Sequence, residues 1–353
     1  MNTITELDIW RILKEHNWPS KENVHVRLET GVTPLLFALQ RDLPFFVIEK
    51  LIEMGSDIFA KDNAGISVFQ QTLHRKDNKT ISILKLLLKY GVNLLEEADW
   101  ILFEKPFQIS ENQVFQNTQR FGLALSRIPV LALLLLEKSI EDNDKYPLDL
   151  NMRGPLGETF LLKALKSERV PLELGLLLIE KTPSTQYALH TLLSNSLAWN
   201  KEEKIILIQK ILEKGAFVDE KDKFGLTPLR ICIKRRDLIQ ENTLLTLELL
   251  LKAGANPNEK IFSSSPKNIL KPMLKKDLLE YGPLVTAFLL RRPDQVSLLL
   301  RYGADIHELQ NPAVQTWVYK IENEYPKDFA SLQKIILEYS LNQASSSNRI
   351  PRI

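Results

Sequence analysis

Apolar residues along this chain arrive in paired blocks, a short one and a longer one, divided by polar turns that carry glycine. The short block is Thr33-Pro34-Leu35-Leu36-Phe37-Ala38-Leu39 after Gly31. It returns as Thr227-Pro228-Leu229-Arg230-Ile231-Cys232-Ile233 after Gly225 and, eroded, as Thr159-Phe160-Leu161-Leu162-Lys163-Ala164-Leu165 after Gly157. A threonine hydroxyl satisfies the orphan amides of a starting helix, and proline at the first helical position has the required φ and lacks only a donor that would go unused. The longer block is leucine-rich and ends on glycine five times, at Gly55, Gly91, Gly215, Gly254 and Gly303. Glycine suits the residue after a helix end because the chain commonly turns left-handed there, where a Cβ is penalised. The pattern predicts a helix-turn-helix unit repeated along the chain.

The segments after those glycines repeat too: Ser56-Asp57-Ile58, Val92-Asn93-Leu94, Ala216-Phe217-Val218-Asp219, Ala255-Asn256-Pro257-Asn258 and Ala304-Asp305-Ile306-His307. Together the two elements resemble the T-P-L-H-x-A and G-A-D-V-N elements of ankyrin repeats, whose period of about 33 residues is close to the step from Gly31 to Gly65. The tetratricopeptide period of about 34 is equally near, but its W-x-x-L-G-x-x-Y signature is missing. The resemblance implies an all-α ankyrin-repeat solenoid of seven or eight units with short hairpin fingers and helical caps. Its stacked faces would bury a core and leave a concave surface for a partner.

On that template the repeats fall near 29–61, 62–97, 117–152, 155–185, 186–222, 223–259 and 280–309, an array over 29–310 with insertions near 98–116 and 260–281. The third repeat is recognised mainly from Leu123-Ala124-Leu125 and Pro129-Val130-Leu131. Residues 1–28 hold a capping helix and linker, with Ile4, Leu7, Ile9, Trp10 and Leu13 forming the apolar stripe of an amphipathic segment. Residues 311–343 read as a C-terminal helical cap and 344–353 as a disordered tail. Trp10, Trp100 and Trp317 are expected to seal caps or an insertion. The 13 glycines make up only about 4% of the chain against a usual 7%, so several turns have drifted from the consensus.

Alignment of the short helices places Ala38, Thr72, Ala124, Ala164, Cys232 and Ala287 in one small-residue column and Leu35, Phe69, Phe121, Leu161, Leu229 and Leu284 in a second, apolar one. Both read as core. Past the small column, Arg41, Arg75, Arg127 and Arg235 share a position, with Lys166 and Lys234 beside it. They form either a basic stripe on the concave face or ordinary solvated cations near helix C-termini, where the dipole favours them. Phe59, Phe224 and Trp199 lie on or beside hairpins and loops and are candidate partner anchors. Phe217 and Phe224 fit packing against a neighbouring hairpin as well.

Lys and Arg total 46 and Asp and Glu 44, a net +2, so no global field points to nucleic acid or an anionic membrane. One cysteine excludes an internal disulfide and a thiolate zinc set, which fits a reducing cytoplasm. The longest apolar run, Ile128 to Leu136, is too short to cross a bilayer, and Glu6 and Asp8 argue against a secretory leader. Cys232 occupies a small core position, which argues against a nucleophile. His74, His190 and His307 lack zinc spacing, and the pairs Glu96-Glu97 and Asp142-Asp144 lack the frame of a calcium loop. No phosphate-binding loop or nucleophile elbow occurs.

The reading is thus a noncatalytic, monomeric protein-interaction scaffold without metal or cofactor, its partner a protein with an acidic surface. An active site built in the insertions or terminal segments is the competing class. The irregular repeats, rich in lysine and asparagine, are similar in style to ankyrin proteins that intracellular bacteria deliver into eukaryotic cells. That resemblance implies a translocated effector acting on a host protein.

Overall fold

The computed structural model describes residues 5–18, 22–75, 77–103, 113–153, 157–167, 170–194, 199–234, 240–259 and 281–347. Among them every regular element is helical, and β-type pairing is confined to isolated bridge positions such as the antiparallel bridge between Lys61 and Ser67. The chain divides into two compact units, Met1–Gly154 and Pro155–Ile353. The all-helical architecture is compatible with an ankyrin-like helical repeat.

The first unit contains α1 (Glu6–Glu15), α2 (Pro34–Gln40), α3 (Phe45–Glu53), α4 (Val68–Leu73), α5 (Thr80–Lys89), α6 (Leu94–Phe103), α7 (Gln113–Arg127) and α8 (Pro129–Glu141). The short helix α2 packs on its partner α3 and on α4, α4 packs on α5, and α3 on α5, so short helices stack on short and long on long. The caps follow the sequence logic: Thr33 Oγ1 accepts from Leu36 N, and Ser67 with Gln70 closes a reciprocal capping box at α4. Helix α1 lays Ile9, Trp10 and Leu13 against α3, while Trp18 buries its indole edge-on to Phe37, 5.2 Å between ring centres.

Part of the expected insertion at 98–116 is regular structure. Helix α6 buries Ala98, Asp99 and Leu102, and α7 begins at Gln113, four residues before the repeat boundary read from the sequence. What ties α6 to α7 is an ion pair almost out of solvent: Arg120 Nε and Nη2 grip the two Asp99 oxygens at 2.5 and 2.9 Å, and Nη1 donates to Asn117 Oδ1 at 2.8 Å. A polar pair of this kind leaves no periodic apolar trace, so the sequence reads as an interruption.

The second unit contains α9 (Phe160–Lys166), α10 (Leu172–Lys181), α11 (Ala188–Ser194), α12 (Lys201–Glu213), α13 (Pro228–Lys234), α14 (Gln240–Lys252), α15 (Pro283–Leu289), α16 (Pro293–Arg301), α17 (Pro312–Glu324) and α18 (Pro326–Ser347). Two layers emerge. The odd-numbered helices α9 to α17 pack in sequence on one another, and the even-numbered α10 to α18 do the same behind them. Helix α18 continues to Ser347, past the point at which the sequence reading ended the cap. Residues 260–280, nearly all of the second expected insertion, lie outside the described residues.

All six members of the small-residue column are fully buried, and so are the six of the apolar column but for about one per cent exposure at Phe69 and Leu161. The five glycines that close the long helices all have positive φ, from 83° at Gly215 to 105° at Gly91. Local backbone demand explains both sets: a turn needs a residue without Cβ, and stacked helices approach closely only over small side chains. Thr227 departs from its expected role, since its hydroxyl is buried without a hydrogen-bond partner and does not cap α13.

Candidate binding groove

The second unit carries an open groove of about 750 Å³ where the ends of two short helices meet a finger turn. Lys166 comes from the last residue of α9, Tyr187, His190, Thr191 and Ser194 from α11 and the residue before it, and Asp222, Lys223 and Phe224 from the turn that leads to α13. Of these, Lys166 and Phe224 are partner-surface candidates read from the sequence.

The finger turn is rigid for a local reason. Asp222 Oδ1 accepts from the amides of Phe224 and Leu226, both at 2.8 Å, and Gly225 closes the turn at φ 74°. Asp62 does the same for Ala64 and Ile66 in the first unit, so Asp-x-x-Gly is a recurring turn device of this chain. It holds Phe224 half-buried at the groove wall, with the Lys223 ammonium 5.1 Å from the centre of the ring.

Tyr187 forms the facing lip. It stands where α2 and α9 have a capping threonine, yet its φ is 58°, a conformation costly for a residue with a Cβ. The Glu220 carboxylate accepts from Tyr187 N at 2.7 Å and the ring packs edge-on to His190, which fixes the conformation and leaves the residue 40% exposed. His190 sits at the third position of α11. Its Nε2 donates to Leu226 O at 2.9 Å, so in the neutral ring Nδ1 carries the lone pair, and that atom has no partner.

Arg230 holds the same third position in α13, and it too crosses to backbone carbonyls, those of Glu259 and Tyr281, both at 2.6 Å. Burial pushes its pKa down to about 10 against the opposing pull of Glu259 and Glu308. Lys234, at the end of the same helix, is half-buried. Its pKa is lowered first by burial and then by Arg230, with Asp222 acting the other way.

Of the candidate residues, the structure brings Lys166 and Phe224 together in this groove and couples Lys234 electrostatically to its wall. Lys166 is exposed and pairs with Glu158 at 3.0 Å. Trp199 is a correction: it is buried, donates from Nε1 to Leu165 O at 3.2 Å and fills the notch above Gly175, where an added methyl would lie 3.2 Å from the indole. Arg235 lies outside the described residues. Sequence reasoning missed Tyr187 and Lys223 and assigned His190 no role, although the Leu189-His190 register echoes the repeat's Leu-His.

In the first unit the basic column does not survive as a stripe. Arg75 is a correction, its side chain wholly buried, with Nη2 on Leu43 O at 2.9 Å, the Nε–Nη2 edge bidentate on Asp77 and Asp42 3.9 Å away. Its charge is spent internally, and the Asp77 carboxyl is held below the usual range chiefly by that hydrogen bond. Arg41 is exposed at the end of α2, 5.5 Å over Phe37, and Arg127 is exposed with one contact to Leu102 O at 3.3 Å. Phe59 projects 62% exposed. Phe217 of the second unit does not pack on a neighbouring hairpin but stands 74% exposed, and Trp100 remains 40% exposed with Lys61 over its ring.

Cys232 is fully buried with its thiol 3.6 Å from Thr243 O, a core residue as its column requires. Among the described residues no group of three or more His, Cys, Asp or Glu is placed to hold a metal ion, and no helix is long and apolar enough to cross a membrane.

No protein-family model matches the chain. A protein of fowlpox virus (strain NVSL), named for ankyrin repeats, is 32% identical over 105 residues, which is 30% of this chain and 14% of the viral protein. The chain therefore matches only a small part of that relative's length. A chain in the solved complex of a predatory endopeptidase from Bdellovibrio bacteriovorus with its immunity protein aligns with 70% of this chain and 91% of its own, at 17% identity and a TM-score of 0.25. The viral match supports ankyrin-like repeats, in keeping with the Thr-Pro-Leu and Gly-Ala-Asp elements in the sequence.

Proposed function

We propose that this chain is a noncatalytic protein-binding scaffold whose working surface in the second unit is the groove between α9, α11 and the 222–225 turn. The carrying observation is Tyr187: an aromatic residue held in a left-handed conformation, half exposed, opposite a second aromatic on a rigid turn. Strain of this kind persists only where surrounding contacts enforce it, and it clusters at binding sites. The groove joins exposed aromatic and cationic side chains in the combination that anchors interfaces, and adjacent fingers can extend the contact toward the ~800 Å² per partner of an ordinary complex. An array of seven or eight repeats is the finer reading of the fold that this function uses.

The competing enzyme reading draws no support from the described part of the first expected insertion. The polar groups that converge there, Asp99, Asn117 and Arg120, turn toward one another in the interior. The host-directed effector role implied by the sequence resemblance is a finer version of the binding reading and uses the same surface.

Affinity capture from a eukaryotic lysate, run in parallel with the wild type and with Tyr187→Ala/Phe224→Ala, tests the proposal. Proteins retained by the wild type and lost from the folded double variant are expected. Identical retention by both would refute the groove as the working surface.

A further inference from the structure

The charges at this groove are balanced within the fold. Lys166 is held by Glu158 at 3.0 Å, Asp222 takes two backbone amides on one oxygen and offsets Lys234, and Glu220 takes the Tyr187 amide. The Lys223 ammonium lies over the Phe224 ring, and Arg230, deeper on α13, is committed to the carbonyls of Glu259 and Tyr281. Three carboxylates thus stand against Lys166, Lys223 and Lys234, which leaves no excess of either sign to select a charged occupant. A charged group entering such a site loses water without gaining a counter-ion, a cost that a neutral group avoids.

What remains for recognition is uncharged. Tyr187 and Phe224 present aromatic surface from opposite walls, the one held by its left-handed backbone and the other by the Asp222 turn. Tyr187, Thr191 and Ser194 follow one another at helical spacing, so one face of α11 lines the groove with a ring and two hydroxyls, Thr191 half-buried and Ser194 exposed. From Tyr187 to Ser194 that face runs about 10 Å at the helical rise. An extended chain covers this length with about three residues. The groove volume of about 750 Å³ likewise suits a few residues of chain and falls well short of a flat domain face.

We infer that the groove receives a short, extended, uncharged segment of the partner protein, with one large apolar side chain seated between Tyr187 and Phe224 and backbone amides on the hydroxyls of Thr191 and Ser194. This specification rests on the binding function proposed above. The aromatic pair supplies burial and the hydroxyls fix the position of the segment. Affinity is indifferent to salt, because no ion pair forms on binding and the lysines stay as the free protein holds them.

Selection of a phage-displayed random dodecapeptide library on the whole chain, followed by fluorescence anisotropy with the enriched peptides, tests the inference. Expected are peptides that share one aromatic or long aliphatic residue within a run of uncharged ones, with affinities that agree within about twofold between low and high salt. Tyr187→Ala/Phe224→Ala should weaken them about tenfold and Thr191→Ala/Ser194→Ala about threefold, whereas Lys166→Gln/Lys223→Gln should change them by less than about twofold. Thermal melts confirm that each variant is folded.

Enrichment of acidic or of basic peptides, or a steep loss of affinity in salt, would overturn the uncharged specification and leave the groove as a binding site. Full affinity in Thr191→Ala/Ser194→Ala would overturn the part given to the hydroxyls. Failure to enrich any peptide would overturn the short-segment specification, and lysate capture would then decide the broader function by itself. Enriched peptides that bind the aromatic variant as well as the wild type would overturn both.

Discussion

Two glycines that look alike in the sequence should respond very differently to a single methyl group. Gly31 and Gly55 both close turns at positive φ, 81° and 85°. At Gly55 an added Cβ meets nothing within 4 Å. Gly55→Ala therefore carries only the left-handed penalty, partly offset by a stiffer unfolded chain, and should cost about 1 kcal/mol. At Gly31 the Cβ would come within 2.5 Å of Asn63 Oδ1, 2.7 Å of Asn63 N and 3.0 Å of the Asp62 carbonyl carbon. Asn63 is docked there by two bonds, its amide to Thr30 O at 3.0 Å and its side-chain amide to Glu29 O at 2.7 Å. The turn before α2 thus carries the next finger, and overpacking adds roughly 1–3 kcal/mol to the backbone penalty. Gly31→Ala should cost on the order of 2–4 kcal/mol in all. A urea titration followed by tryptophan fluorescence reads both variants, because Trp10 and Trp18 are buried in the same unit. Asn63→Ala should fail to rescue Gly31→Ala, since two of the three close atoms belong to the backbone. Equal costs at Gly31 and Gly55, or full rescue by Asn63→Ala, would refute the close approach as the reason for that glycine.

The remaining expectations concern the groove, the misread candidates and pH. Tyr187→Gly should be more stable than Tyr187→Ala by about 1 kcal/mol, because glycine accepts the left-handed backbone, while both lose partner binding equally; the reverse order by chemical denaturation would remove the strain argument. Trp199→Ala should cost about 3–5 kcal/mol and Arg75→Ala about 3, whereas Arg41→Ala stays within about 0.5, and a large effect at Arg41 in the same denaturation series would contradict their assigned environments. Burial raises the Glu97 carboxyl above the ordinary range, against the Ser67 hydroxyl that donates to it at 2.8 Å. A raised folded pKa contributes stability below the unfolded value and loses it as pH climbs through the folded one. Glu97→Gln should therefore gain melting temperature over the wild type as pH rises from about 4 to about 7, and a constant difference would count against this account.

Whatever a few consecutive residues enforce is legible along the chain. Helix starts at Thr33 and Thr159 follow from side-chain oxygens meeting orphan amides, and helix ends at Gly55 or Gly254 follow from the left-handed turn. The small-residue column from Ala38 to Ala287 was legible because the 3.6-residue period and the repeat register together fix which side of a helix meets its neighbour. Lys166 and Phe224 could be placed at the candidate groove on the same grounds.

Tertiary structure decided what each side chain meets beyond its own repeat. Arg75 and Arg41 share a register position, but Arg75 alone faces Asp42, Asp77 and the Leu43 carbonyl and so leaves solvent. Trp199 was legible as a loop aromatic, yet a glycine twenty-four residues earlier, in another helix, supplies the notch that buries it. Tyr187 became a groove wall only because Glu220, a whole repeat away, holds its amide. Pattern along a chain encodes period and backbone need; solvent exposure and pairing depend on distant atoms, and those come together only once the helices have stacked.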